Sequence, residues 1–277
     1  MNTPMNGPMA NFSPRPMVLD ERFDISVSRP VARWMARHFH HYGFSADQVS
    51  VIAMGFGITA GLAMTGGGLW PVLGGLLLLA MVVTDCADGE VARLSGPSDK
   101  PWRGRMLDGM ADLTTILSVH VAMIIVLARS GIVINGHAFG TFEAFVLVIL
   151  GFLSFSWKSS VVDDIKQRLK PVSVDRDLTR YVDQKKTLFE KFLFYCLVNY
   201  VKSAARLTGQ GRPGGYDVFQ LVAMVGPTHH LVAIAIAGML SPLAPTVFLT
   251  YLLITIGPGN LFLWAVLHRA RRREAAI

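Results

Sequence analysis

Charge is scarce in this 277-residue sequence: only 16% of residues are Asp, Glu, Lys or Arg, against 52% hydrophobic. With a mean hydropathy of +0.42, that balance excludes an ordinary soluble domain and points to a membrane protein. Cysteine is nearly absent as well. Cys86 and Cys196 are too few and too isolated for a disulfide framework or a thiolate metal site. Residues 1–28 lack the apolar core of a secretory signal and are rich in Pro, Met and Asn, so they are expected to be retained as a flexible segment ahead of one membrane domain over 29–277. The net charge of +7 could suit nucleic acid, but no nucleic-acid module is recognisable, and membrane topology explains the basic residues better.

What is present is a set of long apolar runs. A bilayer-spanning helix needs roughly 20 mostly apolar residues. Six stretches qualify, near 47–65, 70–94, 104–129, 138–160, 216–239 and 244–268. With both termini placed inside, 25 of the 26 Lys and Arg fall on the inner side, and Arg129 sits at a span edge. The expected fold is therefore an all-α, six-span bundle with both termini cytoplasmic. Arg29-Pro30 opens a segment to residue 42 in which Trp34 and Phe39 alternate with Arg33 and Arg37, as an interfacial helix would. The long polar loop between Lys158 and Gly215 carries a second possible interfacial helix at 186–206, and Gly209 to Gly215, with Pro213, breaks the chain before the fifth span.

The chemistry concentrates where the second span ends and the third begins. The sequence reads Asp85-Cys86-Ala87-Asp88-Gly89-Glu90-Val91-Ala92-Arg93, then Gly104-Arg105-Met106-Leu107-Asp108-Gly109-Met110-Ala111-Asp112. Asp85 and Asp88 stand at i and i+3, Asp108 and Asp112 at i and i+4, so each pair lies along one side of its helix. Antiparallel neighbours would bring all four carboxylates to one membrane face. An ionised side chain costs ~2.5–3.5 kcal/mol at the centre of a span, so four converging acids need a compensating charge. Mg2+ or Mn2+ supplies it through oxygen ligands. With no competing Cys or His cluster, zinc is disfavoured. The competing reading, in which these acids cap helices or pair with Arg93, Arg103 and Arg105, does not account for Gly89, Ala92 and Gly104, small residues suited to a bulky nucleotide.

These residues resemble the signature of the CDP-alcohol phosphotransferases: Asp, two residues, Asp-Gly, two residues, Ala-Arg, a gap, Gly, three residues, Asp, three residues, Asp. Asp85, Asp88, Gly89, Ala92, Arg93, Gly104, Asp108 and Asp112 match every fixed position. The resemblance implies transfer of a substituted phosphate from a CDP-linked donor to an alcohol with release of CMP, in lipid head-group synthesis. It implies metal held by Asp85, Asp88, Asp108 and Asp112, with Asp112 as general base. Nucleotide contacts would come from Asp85, Asp88, Gly89, Ala92, Arg93, Gly104 and Asp108. It further implies a homodimer and a membrane-lipid environment, and the expected location is a bacterial inner membrane with the site facing the cytoplasm. Arg103, Arg105 and Lys158 are candidates for a phosphorylated acceptor, although the positive-inside rule also accounts for them.

Two stretches depart from the family pattern: the longer gap Gly96-Pro97-Ser98-Asp99-Lys100-Pro101, and Ser45-Ala46-Asp47-Gln48-Val49-Ser50 before the first span, where relatives carry a Thr-Pro-Asn type sequence. Elsewhere, His229 and His230 face different sides of a helix, which favours packing over ligation. Gly257-Pro258-Gly259-Asn260 should kink the sixth span, and Gly57 and Gly61 suit close helix contact. Three rivals remain: the same chemistry on two polar substrates making a soluble inositol-phosphate-type diester, a cation transporter built on intramembrane acids, and an inactive scaffold, against which the intact signature argues.

Overall fold

The computed structural model describes residues 19–96, 101–134, 136–169 and 215–274, together with the isolated positions 187, 191 and 195. Apart from Thr187, Lys191 and Tyr195, where the Lys191 N–H donates to Thr187 O at 2.9 Å, the expected helix at 186–206 lies outside the described residues, as do Cys196, most of the gap before Pro101, and the Gly209 to Gly215 breaker except Gly215 itself.

A π-helical turn, Asp24–Ser28, runs directly into helix α1, Arg29–His41, and α2, Ala46–Met64, follows after a short turn. Ser45 caps α2 by accepting the Gln48 N–H, while the Gln48 side chain accepts the Ser45 N–H, a reciprocal box readable as Ser-x-x-Gln. Helices α3, Trp70–Ser95, and α4, Pro101–Arg129, come next. A two-residue hairpin pairs Val133 with Ala138 and Ile134 with His137. Then come α5, Thr141–Leu169, α6, Gly215–Val222, α7, Pro227–Leu240, α8, Thr246–Ile256, and α9, Pro258–Glu274.

Six stretches are long and apolar enough to cross a membrane: Ala46–Met64, Trp70–Ser95, Met106–Arg129, Thr141–Lys166, Tyr216–Leu240 and Thr246–Arg273. The fold is thus an all-α, multi-pass membrane bundle. The fifth span joins α6 to α7 through a 3₁₀ turn at Ala223–Val225, and the sixth joins α8 to α9 through Gly257. The break is where Pro258 removes a backbone donor. Its loosened carbonyls are met by side chains: Lys158 Nζ and Ser154 Oγ donate to Thr255 O at 2.7 and 3.0 Å, and Asn260 Nδ2 donates to Ile256 O at 2.8 Å.

The core forms where α2, α3, α4 and α7 meet, with Met64, Leu78, Met81, Val119, Met123 and Ile234 fully enclosed. Gly57 and Gly61 lie on the seam between α2 and α4, where a Cβ would overlap Thr115 and Ser118 respectively, so the small-residue pair does bring two backbones together. Amphipathic α1 buries Ala32 and Ala36 against Val49, Ala87 and Val91, and leaves Trp34 and most of its Arg face outside. Residues 19–28, expected to belong to the flexible segment, pack on the bundle. Leu19, Asp20, Glu21 and Ser28 are buried, and Glu21 accepts the N–H groups of Thr228 and His229, capping the otherwise unsatisfied start of α7.

Candidate functional site

The site lies where the last turns of α3 meet the first turns of α4. Asp85, Asp88 and Asp108 each direct one carboxylate oxygen into a common space, and these oxygens all lie within 4.8 Å of one another. Asp88 is buried; Asp85, Asp108 and Asp112 are half-buried. The fourth aspartate, Asp112, stands one turn further along α4 outside that triad. Its carboxylate still feels Asp85, Asp88 and Asp108, and also Asp163 of α5. The sequence spacing therefore brings all four acids into one electrostatic unit, three of them at ligand separation.

Two observations test whether this set fits a divalent cation. The donors are all carboxylate oxygens, the chemistry of Mg2+ and Mn2+. Asp85 Oδ1 is buried without a hydrogen-bond partner, and a buried acceptor in that state calls for a cation or water. The residues fit.

One supporting contact was not anticipated from sequence. Ser50 of α2 donates from Oγ to Asp88 Oδ2, which orients that carboxylate from behind. Ser50 sits in the stretch that departs from the family pattern. Its one advance signal is its place as a polar residue on the buried face of an apolar helix.

The small residues of the motif border open space. Ala92 is exposed, nothing lies within 4 Å of a Cβ built on Gly104, and the nearest atom to one built on Gly89 is Arg93 Nη1 at 3.7 Å. Arg93 pairs with Glu90 of the same helix, Nε to Oε2 at 3.1 Å and Nη2 to Oε1 at 2.5 Å.

The three acceptor candidates divide. Arg103 is exposed at the start of α4 and pairs with Asp47 at 3.5 Å. The side chain of Arg105 lies outside the described residues. Lys158 is completely buried and its ammonium is engaged by the Thr255 carbonyl, so it closes the helix break in the sixth span. The two histidines also split. His229 Nδ1 contacts Glu21 at 2.7 Å and His230 Nδ1 contacts the Tyr251 hydroxyl at 3.1 Å, so they pack on different partners, as their adjacency implied.

Asp24 lies just outside the spans and adds a fifth acid nearby. It accepts from Thr228 Oγ1 at 3.0 Å and stands 3.9 Å from Cys86 Sγ. Burial, and then the charge of Glu21, hold its carboxyl above the usual aspartate range despite the opposing pull of Thr228 and Lys166.

Comparison with known proteins gives one family and no individual relative. No curated protein matches the chain, and no solved structure does. The family model for CDP-alcohol phosphatidyltransferase matches residues 44–170, which run from the cap of α2 through α5 and contain all eight motif positions and the carboxylate cluster. The match covers just under half of the chain, and the segment that holds the site is similar to the CDP-alcohol phosphatidyltransferase family.

Proposed function

We propose that this protein is an integral membrane transferase that moves a substituted phosphate from a CDP-linked donor, CDP-diacylglycerol or a CDP-alcohol, to an alcohol acceptor in phospholipid head-group synthesis. The observation that supports this best is the triad Asp85, Asp88 and Asp108, with Asp112 beside it, inside the family-matched segment.

In this reading Asp85, Asp88, Asp108 and Asp112 would hold Mg2+ or Mn2+, which when bound neutralises charge on the transferring phosphate. Asp112, one turn beyond the triad, takes the proton of the acceptor hydroxyl. The hydroxyl oxygen forms a bond to the donor's distal phosphorus. The bond from that phosphorus to the bridging oxygen breaks, and CMP leaves with the electron pair. Gly89, Ala92 and Gly104 leave room for the cytidine, Arg93 supports the nucleotide together with Asp85, Asp88 and Asp108, and Arg103 and Arg105 would meet an anionic acceptor. The positive-inside distribution supports a cytoplasmic location for this face and both termini, and the membrane of this reading is a bacterial inner membrane. The family resemblance adds a homodimer, which light scattering of the purified protein would read directly.

The test is CMP release by purified protein in detergent and lipid, with Mg2+ or Mn2+ and a panel of CDP donors crossed with alcohol acceptors. Metal-dependent release that falls by at least about 100-fold in Asp112→Asn, the scale of a lost general base, supports the reading. A product found in the aqueous phase instead of the organic phase would replace phospholipid synthesis with a soluble phosphodiester. Absence of cytidine-nucleotide binding would refute the family chemistry.

A further inference from the structure

One array of charges at this face leads to the motif arginine through residues with no part in the chemistry above. Asp20 forms an ion pair with Arg29, Nε to Oδ2 at 2.7 Å without hydrogen-bond geometry, and accepts from Lys166 Nζ at 3.1 Å. Arg29 Nη1 reaches on to Glu90 Oε1 at 3.4 Å. Glu90 holds Arg93 with both of its oxygens. The array therefore runs from α5 through the N-terminal turn and α1 to the motif arginine on α3.

Its form carries a consequence for Arg93. A guanidinium is planar, so one carboxylate engaging two of its nitrogens fixes the direction of the third. Nε and Nη2 are taken by Glu90, and the remaining Nη1 is turned over Gly89, 3.7 Å from the position a Cβ would occupy. Glu90 is itself only 3% exposed, and Arg29 Nη1 reaches the same Oε1 that holds Arg93 Nη2, so a swing of the carboxylate would break its contacts with two cations at once. A helix-surface Glu–Arg pair with no such backing is weak and mobile; this one is anchored at its carboxylate end by Arg29.

We propose that Glu90, backed by Arg29 and Asp20, is a positioning residue that presents Arg93 Nη1 to the cytidine nucleotide of the donor. The proposal rests on the CDP-donor reading above and adds to it a residue that the family signature leaves unspecified. It also gives residues 19–29 a role at the site, since they supply two of the four charges in the chain from Asp20 to Arg93.

The experiment measures binding of CMP with Mg2+ by calorimetry, on the full-length protein in detergent, for wild type, Glu90→Gln, Arg93→Ala and the double variant. Losing a charged, bidentate partner is expected to weaken CMP binding by about tenfold in Glu90→Gln. Arg93→Ala should weaken it at least as much, and the double variant should be no weaker than Arg93→Ala alone, because Glu90 acts only through Arg93. The thermal shift on adding Mg2+ without nucleotide should stay at the wild-type value in Glu90→Gln, which a general collapse of the site would not allow. If Glu90→Gln does not give a monodisperse protein, Glu90→Asp keeps the charge on a shorter arm and is expected to show the same sign. Wild-type CMP affinity in the Glu90 variant, or additive losses in the double variant, would overturn the positioning role alone. Failure of the wild type to bind CMP would overturn the CDP-donor reading and this role with it.

Discussion

Replacing Asp85 by Asn should make the metal-free protein more stable and its response to metal weaker. The three ligand oxygens of Asp85, Asp88 and Asp108 lie within 4.8 Å of one another. At an effective dielectric of about 20, two unit charges at that separation repel by about 3.5 kcal/mol. Asp85 takes part in two such pairs, so about 7 kcal/mol of repulsion bears on it when all three are ionised, before rotation and solvent at the membrane face relieve part of it. If about 1–2 kcal/mol survives that relaxation, the Asn variant gains roughly 2–8 °C in Tm over wild type in EDTA. The amide also offers an N–H donor to the neighbouring carboxylates, where Asp85 Oδ1 now has no hydrogen-bond partner. The cost falls on metal binding. One anionic ligand fewer should reduce affinity by roughly 10–100-fold, the scale of a lost charged contact. Thermal unfolding followed across a titration of Mg2+ or Mn2+ reads both effects in one series. A variant that is less stable than wild type in EDTA, yet shifts equally with metal, would refute the view that these acids are held together for a cation.

Two further outcomes follow from contacts around the site. Lys158→Met should lower the unfolding temperature by an amount corresponding to about 1–3 kcal/mol, since it strips a buried donor from Thr255 O at the broken sixth span. The KM for the acceptor should be unchanged in the same variant; a selective rise in that KM would return Lys158 to the acceptor site. For Asp24 the fold favours the neutral carboxyl, so the stability it contributes is complete below about pH 4 and is lost as pH rises through its raised pKa. The Tm of Asp24→Asn relative to wild type should therefore climb as pH is raised from about 4, and a difference that stays flat up to pH 8 would contradict the burial of Asp24.

The spans and the carboxylate cluster were legible in the sequence because each depends on a short-range pattern. Length and apolarity mark a spanning helix wherever its neighbours lie. Spacings of three and four residues put Asp85 with Asp88, and Asp108 with Asp112, on common helix faces before any packing is known. The structural contact of Lys158 was hidden for the opposite reason. A lysine near the inner end of an apolar run reads as topological or substrate-directed, and only the fold shows the broken helix that its ammonium completes. The packing of Leu19 to Ser28 was likewise hidden, because Glu21 finds the start of α7 more than two hundred positions away. Glu90 carried a usable signal: an acid within an apolar span needs a partner, and Arg93 three residues on was the local candidate, although the backing from Arg29 was not visible.

The separation of the aspartates depends in turn on residues with no chemistry of their own. Asp85 and Asp88 are carried by α3, and Asp108 and Asp112 by α4, while α2 packs against both helices and lends Ser50 to Asp88. Gly57 and Gly61 let α2 approach α4 so closely that Thr115 and Ser118 occupy the space of a side chain. Ser118 lies ten residues beyond Asp108 on the same helix, about 15 Å along its axis. A helix transmits such a displacement as a nearly rigid rod, so a larger residue at Gly61 would move Asp108 relative to Asp85 and Asp88. Ligand geometry is held to roughly 0.5 Å in a working site, which is less than the width of one methyl group. The small residues of the first span are therefore as much a condition of the carboxylate cluster as the aspartates, and they act through the distance between helices.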